Sequence, residues 1–307
     1  MENHDHHGVT MVTLATLGLA FKGIFLKLTY MTGLSVEAGV VWRFVIALPL
    51  FWGFALWRTQ GQSWSIAPKD RVTVFICGLC FAVATYADAL AVDRLGVAVS
   101  RLVLFVFPVF ILIFEAIRQK RWPGKRSCVA ALLAYFGLAL VLLGGETALH
   151  EIDLLGIFAG LMSAMSYALF LVLGSSLVKQ IGSPRFTAMV QSLTLIAVAS
   201  PALFWGDGGQ TVPETAWIWL IAAAILSTFL PLLLLYEGMK HVGSEITGLL
   251  SYIGPGVTVL AAWLILGEKM GPIQFLGIGF LCIGLMIAQA MENWVLHGFK
   301  KVFQNRP

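Results

Sequence analysis

Charged side chains are scarce in this chain: they make up 12% of its 307 residues, against roughly 25% in a soluble domain that must keep its surface wet. Hydrophobic residues reach 59% and mean hydropathy is +0.87. There is too little polar material to cover a water-facing globule, so long apolar stretches must face lipid. A soluble globular fold is excluded. Catalytic constellations are missing as well: the chain has no H-E-x-x-H, no G-x-S-x-G and no cluster of histidines with carboxylates, which argues against a membrane enzyme. A net charge of +4 comes without a compact basic domain, so no nucleic-acid partner is expected. Cysteine is rare. Cys77 and Cys80 form a C-x-x-C inside an apolar run with no second ligand pair, and Cys128 and Cys282 are isolated. They read as small helix-packing residues, not as zinc or redox ligands. No cofactor is expected, and there is no room between the apolar runs for a soluble output domain.

What the chain has is apolar runs of spanning length. They are Val9–Tyr30, Val36–Trp57, Val72–Val92, Val97–Ile117, Arg126–Gly144, Leu154–Val178, Arg185–Trp205, Thr215–Gly238, Glu245–Leu266 and Pro272–Trp294. About 20 helical residues cross a bilayer. The runs are continuously apolar and do not alternate every second residue, so helices are expected and a barrel is not. The expectation is an all-α integral membrane protein with ten transmembrane helices. Residues Met1–His7 lack the basic start of a cleaved leader, and the run after them carries Lys22 and Lys27, so it reads as a first span. His4, Asp5, His6 and His7 could grip a metal, but a flexible tail without fixed geometry is the expectation, and no metal site is assigned.

Fourteen of the twenty lysines and arginines fall in alternate loops and the C-terminal tail, including Arg58, Arg71, Arg118, Lys125, Lys179, Lys240 and Lys300. The opposite loops hold only Arg94 and Lys269, and are acidic (Glu146, Glu151, Asp153, Asp207, Glu214). The positive-inside rule then places both termini in the cytoplasm. Trp57, Trp64, Trp205, Trp217, Trp219 and Trp294 stand at span ends as interface anchors.

An internal repeat follows. Gly96, Pro108, Gly124 and Gly137 recur 147 residues on as Gly243, Pro255, Gly271 and Gly284, and Leu102 as Leu249. The shift lays span 4 on span 9 and span 5 on span 10. Two five-helix halves result, at 1–145 and 150–297, followed by a basic tail at 298–307. An odd number of spans leaves the chain on the opposite side, so the second half inserts upside down. Inverted halves are the plan of many alternating-access transporters, with the substrate held near the midplane between them. A channel would call for a repeated filter around one axis, which is not seen.

These residues resemble a known family over essentially the whole chain: the ten-helix EamA-type members of the drug/metabolite transporter superfamily. Lys27 holds the place of the family's helix-1 lysine, although Leu19-Ala20 stand where Trp-Gly is usual. Arg43-Phe44 with Ala47 fits the helix-2 pattern, and the stretches leading into Pro108 and Pro255 match the family's proline segments. Gly267-Glu268-Lys269 closes the second half, whereas Lys120-Arg121 occupies the same place in the first. The resemblance implies export of amino acids, related metabolites, nucleobases or other solutes, and a bacterial inner membrane.

An ionisable group at bilayer depth costs about 2.5 kcal/mol or more on insertion scales and needs a reason. Lys22 lies near the middle of span 1. Lys27 is about 140° round the helix from it, and it either lines the cavity or snorkels to the headgroups. Arg43 contacts substrate or sits in a structural ion pair. Asp88 and Arg101 share the outer leaflet half with Lys27 and Arg43, where they form a salt-bridged gate or serve as separate helix-end anchors. Glu115 and Glu237 lie near basic loops and are expected to pair there; Glu237 could also carry a coupling proton. Tyr86, Tyr167 and Tyr252 offer hydroxyls and rings to a cavity or to packing. Ser251–Gly256 reads as an interrupted helix, either a carbonyl-exposing break or a packing kink. Gly277, Gly279 and Gly284 suit close helix contact.

The expected substrate site is therefore Lys22, Lys27, Arg43, Tyr86, Tyr167 and Tyr252, with Asp88, Arg101 and Glu237 as gating or ion-pair residues. Four cations against one carboxylate favour a small carboxylate-bearing solute such as an amino acid, moved by a secondary-active exporter. A nucleobase, organic cation or drug transporter is the alternative, and a channel is a more distant one. The partners are that solute and the lipid bilayer; protons are the coupling ion to test and a homodimer the assembly to test.

Overall fold

A computed structural model describes residues 2–60, 66–120, 122, 124–143, 153–205, 210–257, 271–284 and 286–287. Every regular element among the described residues is helical: α1 (Glu2–Ala20), α2 (Lys22–Tyr30), α3 (Val36–Arg58), α4 (Pro68–Leu104), α5 (Phe107–Gln119) and α6 (Lys125–Leu143) in the first part. α7 (Leu154–Ile181), α8 (Ser183–Trp205), α9 (Trp217–Ala224) and α10 (Leu230–Leu250) follow, and then α11 (Pro272–Gly284). Four stretches are long and apolar enough to cross a membrane: Glu37–Arg58, Pro68–Asp88, Leu154–Ile181 and Glu214–Leu250. His7–Ala20 and Pro272–Gly284 are shorter apolar helices. An all-helical membrane fold is what these elements make. Gly267-Glu268-Lys269 and the basic tail lie outside the described residues.

Local chemistry sets the ends. The Ser35 hydroxyl accepts the Ala38 N–H at 3.2 Å and starts α3. The Asp153 carboxylate accepts the Leu155 and Gly156 N–H groups at 2.8 and 3.1 Å and starts α7. Those backbone donors, with Arg94 beside them, hold its carboxyl below the usual aspartate range. Pro68 opens α4, where its missing N–H costs nothing. The tail expected to be flexible is helical from Glu2, and Gly8 within it lies close against His241 and Val242 of α10, where a Cβ would come within 2.8 Å of each.

Two of the long helices are interrupted along their length. Thirteen residues of straight helix would separate Asp88 from Arg101 by about 20 Å, yet their side chains meet at 2.6 Å. A Cβ on Gly160 would likewise touch both Val103 and Ala91. α4 therefore doubles back into two arms: the first is the third predicted span, and the second, continued by α5, is the fourth. α10 breaks at Gly243, whose φ of 80° is open to glycine and strained for other residues. The eighth predicted span carries a π turn, Ile225–Phe229, between α9 and α10.

The core is aromatic at its centre and small at its seams. Phe81 meets Phe170 at 5.1 Å, Phe107 meets Tyr167 at 5.0 Å and Phe186 meets Tyr236 at 5.1 Å. Along α7, Gly156 and Gly160 let Leu95 and Val103 of α4 approach to distances that a Cβ would forbid. The α6–α11 seam is reciprocal. A Cβ on Gly137 would strike the Gly277 carbonyl at 2.6 Å, and one on Gly284 would strike the Ala130 carbonyl at 2.9 Å. Gly137 and Gly284, like Ala130 and Gly277, are pairs in the 147-residue shift. Phe105 and Tyr252 are such a pair too, and their rings lie 6.0 Å apart. Each stands where its helix is interrupted, ahead of Pro108 and Pro255.

Candidate functional site

The first part of the chain places four ionisable side chains together. Arg101 and Asp88, on the two arms of α4, form an ion pair at 2.6 Å. Arg43, near the start of α3, is only 6% exposed. Its guanidinium carbon lies 4.8 Å from the Phe44 ring centroid, and it is within coulombic reach of Tyr30 and Asp88. Lys22 opens α2 just after the break at Phe21 and feels the charges of Arg43, Asp88 and Arg101.

The distribution of partners is uneven. Asp88 spends its carboxylate on Arg101. Arg43 Nε is buried without a hydrogen bond among the described residues. Neither Arg43 nor Lys22 has a carboxylate within salt-bridge distance among them. A buried cation with no anion is expensive in a medium of low dielectric constant. Three cations around one carboxylate therefore make a pocket of positive potential whose natural complement is an anionic group. Arginine's planar fork suits a carboxylate in two-point contact.

The remaining expected site residues make their recorded contacts elsewhere. Tyr86 donates its hydroxyl to the Val198 carbonyl and ties α4 to α8. Tyr167 is packed against Phe81, Phe107 and Phe170. Tyr252 is fully buried beside Phe105 and the alanines of α6, with its hydroxyl unpartnered among the described residues. The side chain of Lys27 lies outside the described residues. Glu237 accepts the Ser183 hydroxyl and faces Lys240 at 3.4 Å and His241 at 3.7 Å. Among the described residues no cluster of metal-ligating side chains occurs.

A second polar network sits where the sequence places the basic end of the bundle. Glu115, 6% exposed, meets Arg118 at 2.7 Å and accepts from Gln119 and from the Ser244 hydroxyl. Glu245 accepts the Ser127 hydroxyl, and Arg118 donates to Ser176. These links join α5 and α6 to α7 and α10. Sequence reading anticipated a basic partner for Glu115 but missed Ser127, Ser176, Ser244 and Glu245, since a serine in an apolar helix looks like a packing residue. At the other end Arg94 meets Asp153 at 3.4 Å, and Gln210 accepts the Ser35 N–H at 2.8 Å.

Spans of this length around a buried charge cluster define a polytopic helical membrane protein. The chain belongs to the EamA-like transporter family, whose model matches residues 6–143 and again 154–289. It is a transporter and not an enzyme. A relative described as the uncharacterized transporter YcbK of Bacillus subtilis is 29% identical over 288 residues, 89% of each chain. The threonine/homoserine exporter RhtA of Escherichia coli is 24% identical, covering 79% of this chain and 80% of its own. A solved structure, described only as that of a protein, superposes with a TM-score of 0.79 at 16% identity, over 92% of this chain and 98% of the other. That likeness concerns the fold.

Proposed function

We propose that this chain is a secondary-active exporter of a small carboxylate-bearing metabolite, with amino acids the foremost class. It works by alternating access between two inverted halves, about 1–145 and 150–297, in a bacterial inner membrane with both termini cytoplasmic. The observation that carries the reading is the buried Arg43, which together with Lys22 has no carboxylate partner among the described residues, beside a carboxylate already committed to Arg101. The substrate's carboxylate supplies the missing anion, with Arg43 and Lys22 as its ligands. The relation to RhtA supports an amino acid. The reciprocal α6–α11 seam and the Phe105–Tyr252 contact support two halves exchanged about one axis. Rocking about that axis would open the charge cluster to one side and then to the other.

The test is counterflow in liposomes holding the purified protein, with labelled threonine, homoserine, succinate, uracil and an organic cation, with and without a pH gradient. Saturable exchange of a carboxylate solute, falling tenfold or more in Arg43→Gln, is expected, since a charge-assisted hydrogen bond is worth about 1.5–3 kcal/mol. Gradient dependence would add protons as the coupling ion. Exchange of the cation or uracil alone would overturn the carboxylate assignment.

A further inference from the structure

A cleft of about 360 Å³ lies between α3, α4 and α8 at the basic end of the bundle. Its interior is apolar, formed by Ile66, Val74, Met189 and Leu193. The polar groups inside are already satisfied: Trp52 Nε1–H donates to Ser192 Oγ at 2.9 Å, and that hydroxyl donates to the Ala188 carbonyl at 2.7 Å. At the edge stands Arg71, in the first turn of α4. Its Nε donates to the Ile66 carbonyl at 3.0 Å and so fixes the guanidinium plane. Its terminal nitrogens have no ion pair or hydrogen bond among the described residues. Phe75, one turn further along α4, is 51% exposed and belongs to the apolar outer face of the helix.

An apolar slot with one fixed cation at its edge matches an amphiphile, not a small hydrophilic anion. Free phosphate on Arg71 would turn its remaining oxygens toward Val74 and Leu193, with no second free donor among the described residues to meet them. A hydrocarbon chain satisfies the interior, and an anionic headgroup satisfies the guanidinium. The bilayer itself supplies such molecules, and basic pockets between transmembrane helices on the cytoplasmic side are suited to anionic headgroups. We propose that this cleft is a binding site for an anionic phospholipid, with its phosphate on Arg71 and one acyl chain lying between Trp52 and Met189. α3 and α4 belong to the first half of the chain and α8 to the second, so the lipid packs against both. The site thereby couples bilayer composition to their relative position.

The test is independent of any transported solute. The full chain is placed in nanodiscs of brominated phosphatidylglycerol or brominated phosphatidylcholine, and tryptophan quenching is compared between the wild type and Trp52→Phe to isolate Trp52. The expected result is stronger quenching of Trp52 by phosphatidylglycerol, with the preference lost in Arg71→Gln. Retention of phosphatidylglycerol after detergent extraction, read by native mass spectrometry, gives a second measurement that needs no change at Trp52. One basic side chain against an anionic lipid should favour it about fivefold in the wild type over Arg71→Gln. Equal quenching by both lipids, an undiminished preference in Arg71→Gln, or displacement of the lipid by inorganic phosphate would each overturn the assignment.

Discussion

At the residue scale, Asp88 decides how the charge cluster is organised. It is the carboxylate that neutralises Arg101 across the two arms of α4, and it is within coulombic reach of Lys22 and Arg43. Asp88→Asn leaves three cations facing one another, and leaving one charge of a shielded pair unsatisfied costs about 1–3 kcal/mol. The variant should unfold at lower temperature in detergent, and the Asp88→Asn/Arg101→Gln double variant should recover a good part of the loss because both charges leave together. Strictly additive losses in the double variant would mean that the two side chains are not a functional pair. The cluster was legible in the sequence because each member is a charge in an apolar run, and such a charge demands an explanation. Which partner each one takes was not legible. Asp88 and Arg101 lie 13 residues apart, and only the reversal of α4 makes them neighbours. The hydroxyls serving Glu115 and Glu245 come from residues 129 and 118 positions away, with no local mark in the sequence.

At the element scale, spans were legible by length and apolarity, and breaks only where proline or glycine announced them. Pro108, Gly243 and Pro255 mark interruptions that the structure contains, and Pro231 follows the π turn at Ile225–Phe229 in the same way, whereas no proline stands near the break at Phe21. Packing separates glycines that look alike in sequence. Gly137 lies on the α6–α11 seam, where a Cβ would sit 2.5 Å from the Leu281 backbone nitrogen, a group that cannot move aside. Gly279, on the same seam helix α11, has nothing within 4 Å of an added Cβ. Gly137→Ala should therefore destabilise by about 1–3 kcal/mol through overpacking. Gly279→Ala should be neutral or stabilising by up to about 1 kcal/mol through helix propensity. Thermal unfolding of the two variants in the same detergent reads the contrast, and equal shifts would mean that the seam is looser than these distances require.

At the scale of the whole molecule, the question is what holds each end shut. The two stretches that match the family model, 6–143 and 154–289, are tied at the basic end by Glu115–Ser244, Ser127–Glu245 and Arg118–Ser176, and at the opposite end by Arg94–Asp153 and by Gln210 on Ser35. The 147-residue shift points to two halves in the sequence, but the ties were not legible there, because they do not obey it: Ser127 and Glu245 are not repeat mates. An alternating-access cycle needs one set to break while the other holds. A hydroxyl on a carboxylate is worth about 1.5 kcal/mol or more, so losing one changes a two-state population roughly tenfold. Ser127→Ala with Ser244→Ala should thus favour opening at the basic end, while Arg94→Ala should favour the other. Spin labels at Lys120 and Lys179, both exposed at the basic end and one in each half, report the separation once the four native cysteines are replaced. A longer distance in the double serine variant, and an unchanged or shorter one in Arg94→Ala, is the pattern that opposed gates require. If both variants lengthen it, the ties are general clamps on the bundle and the rocking axis has to be sought elsewhere.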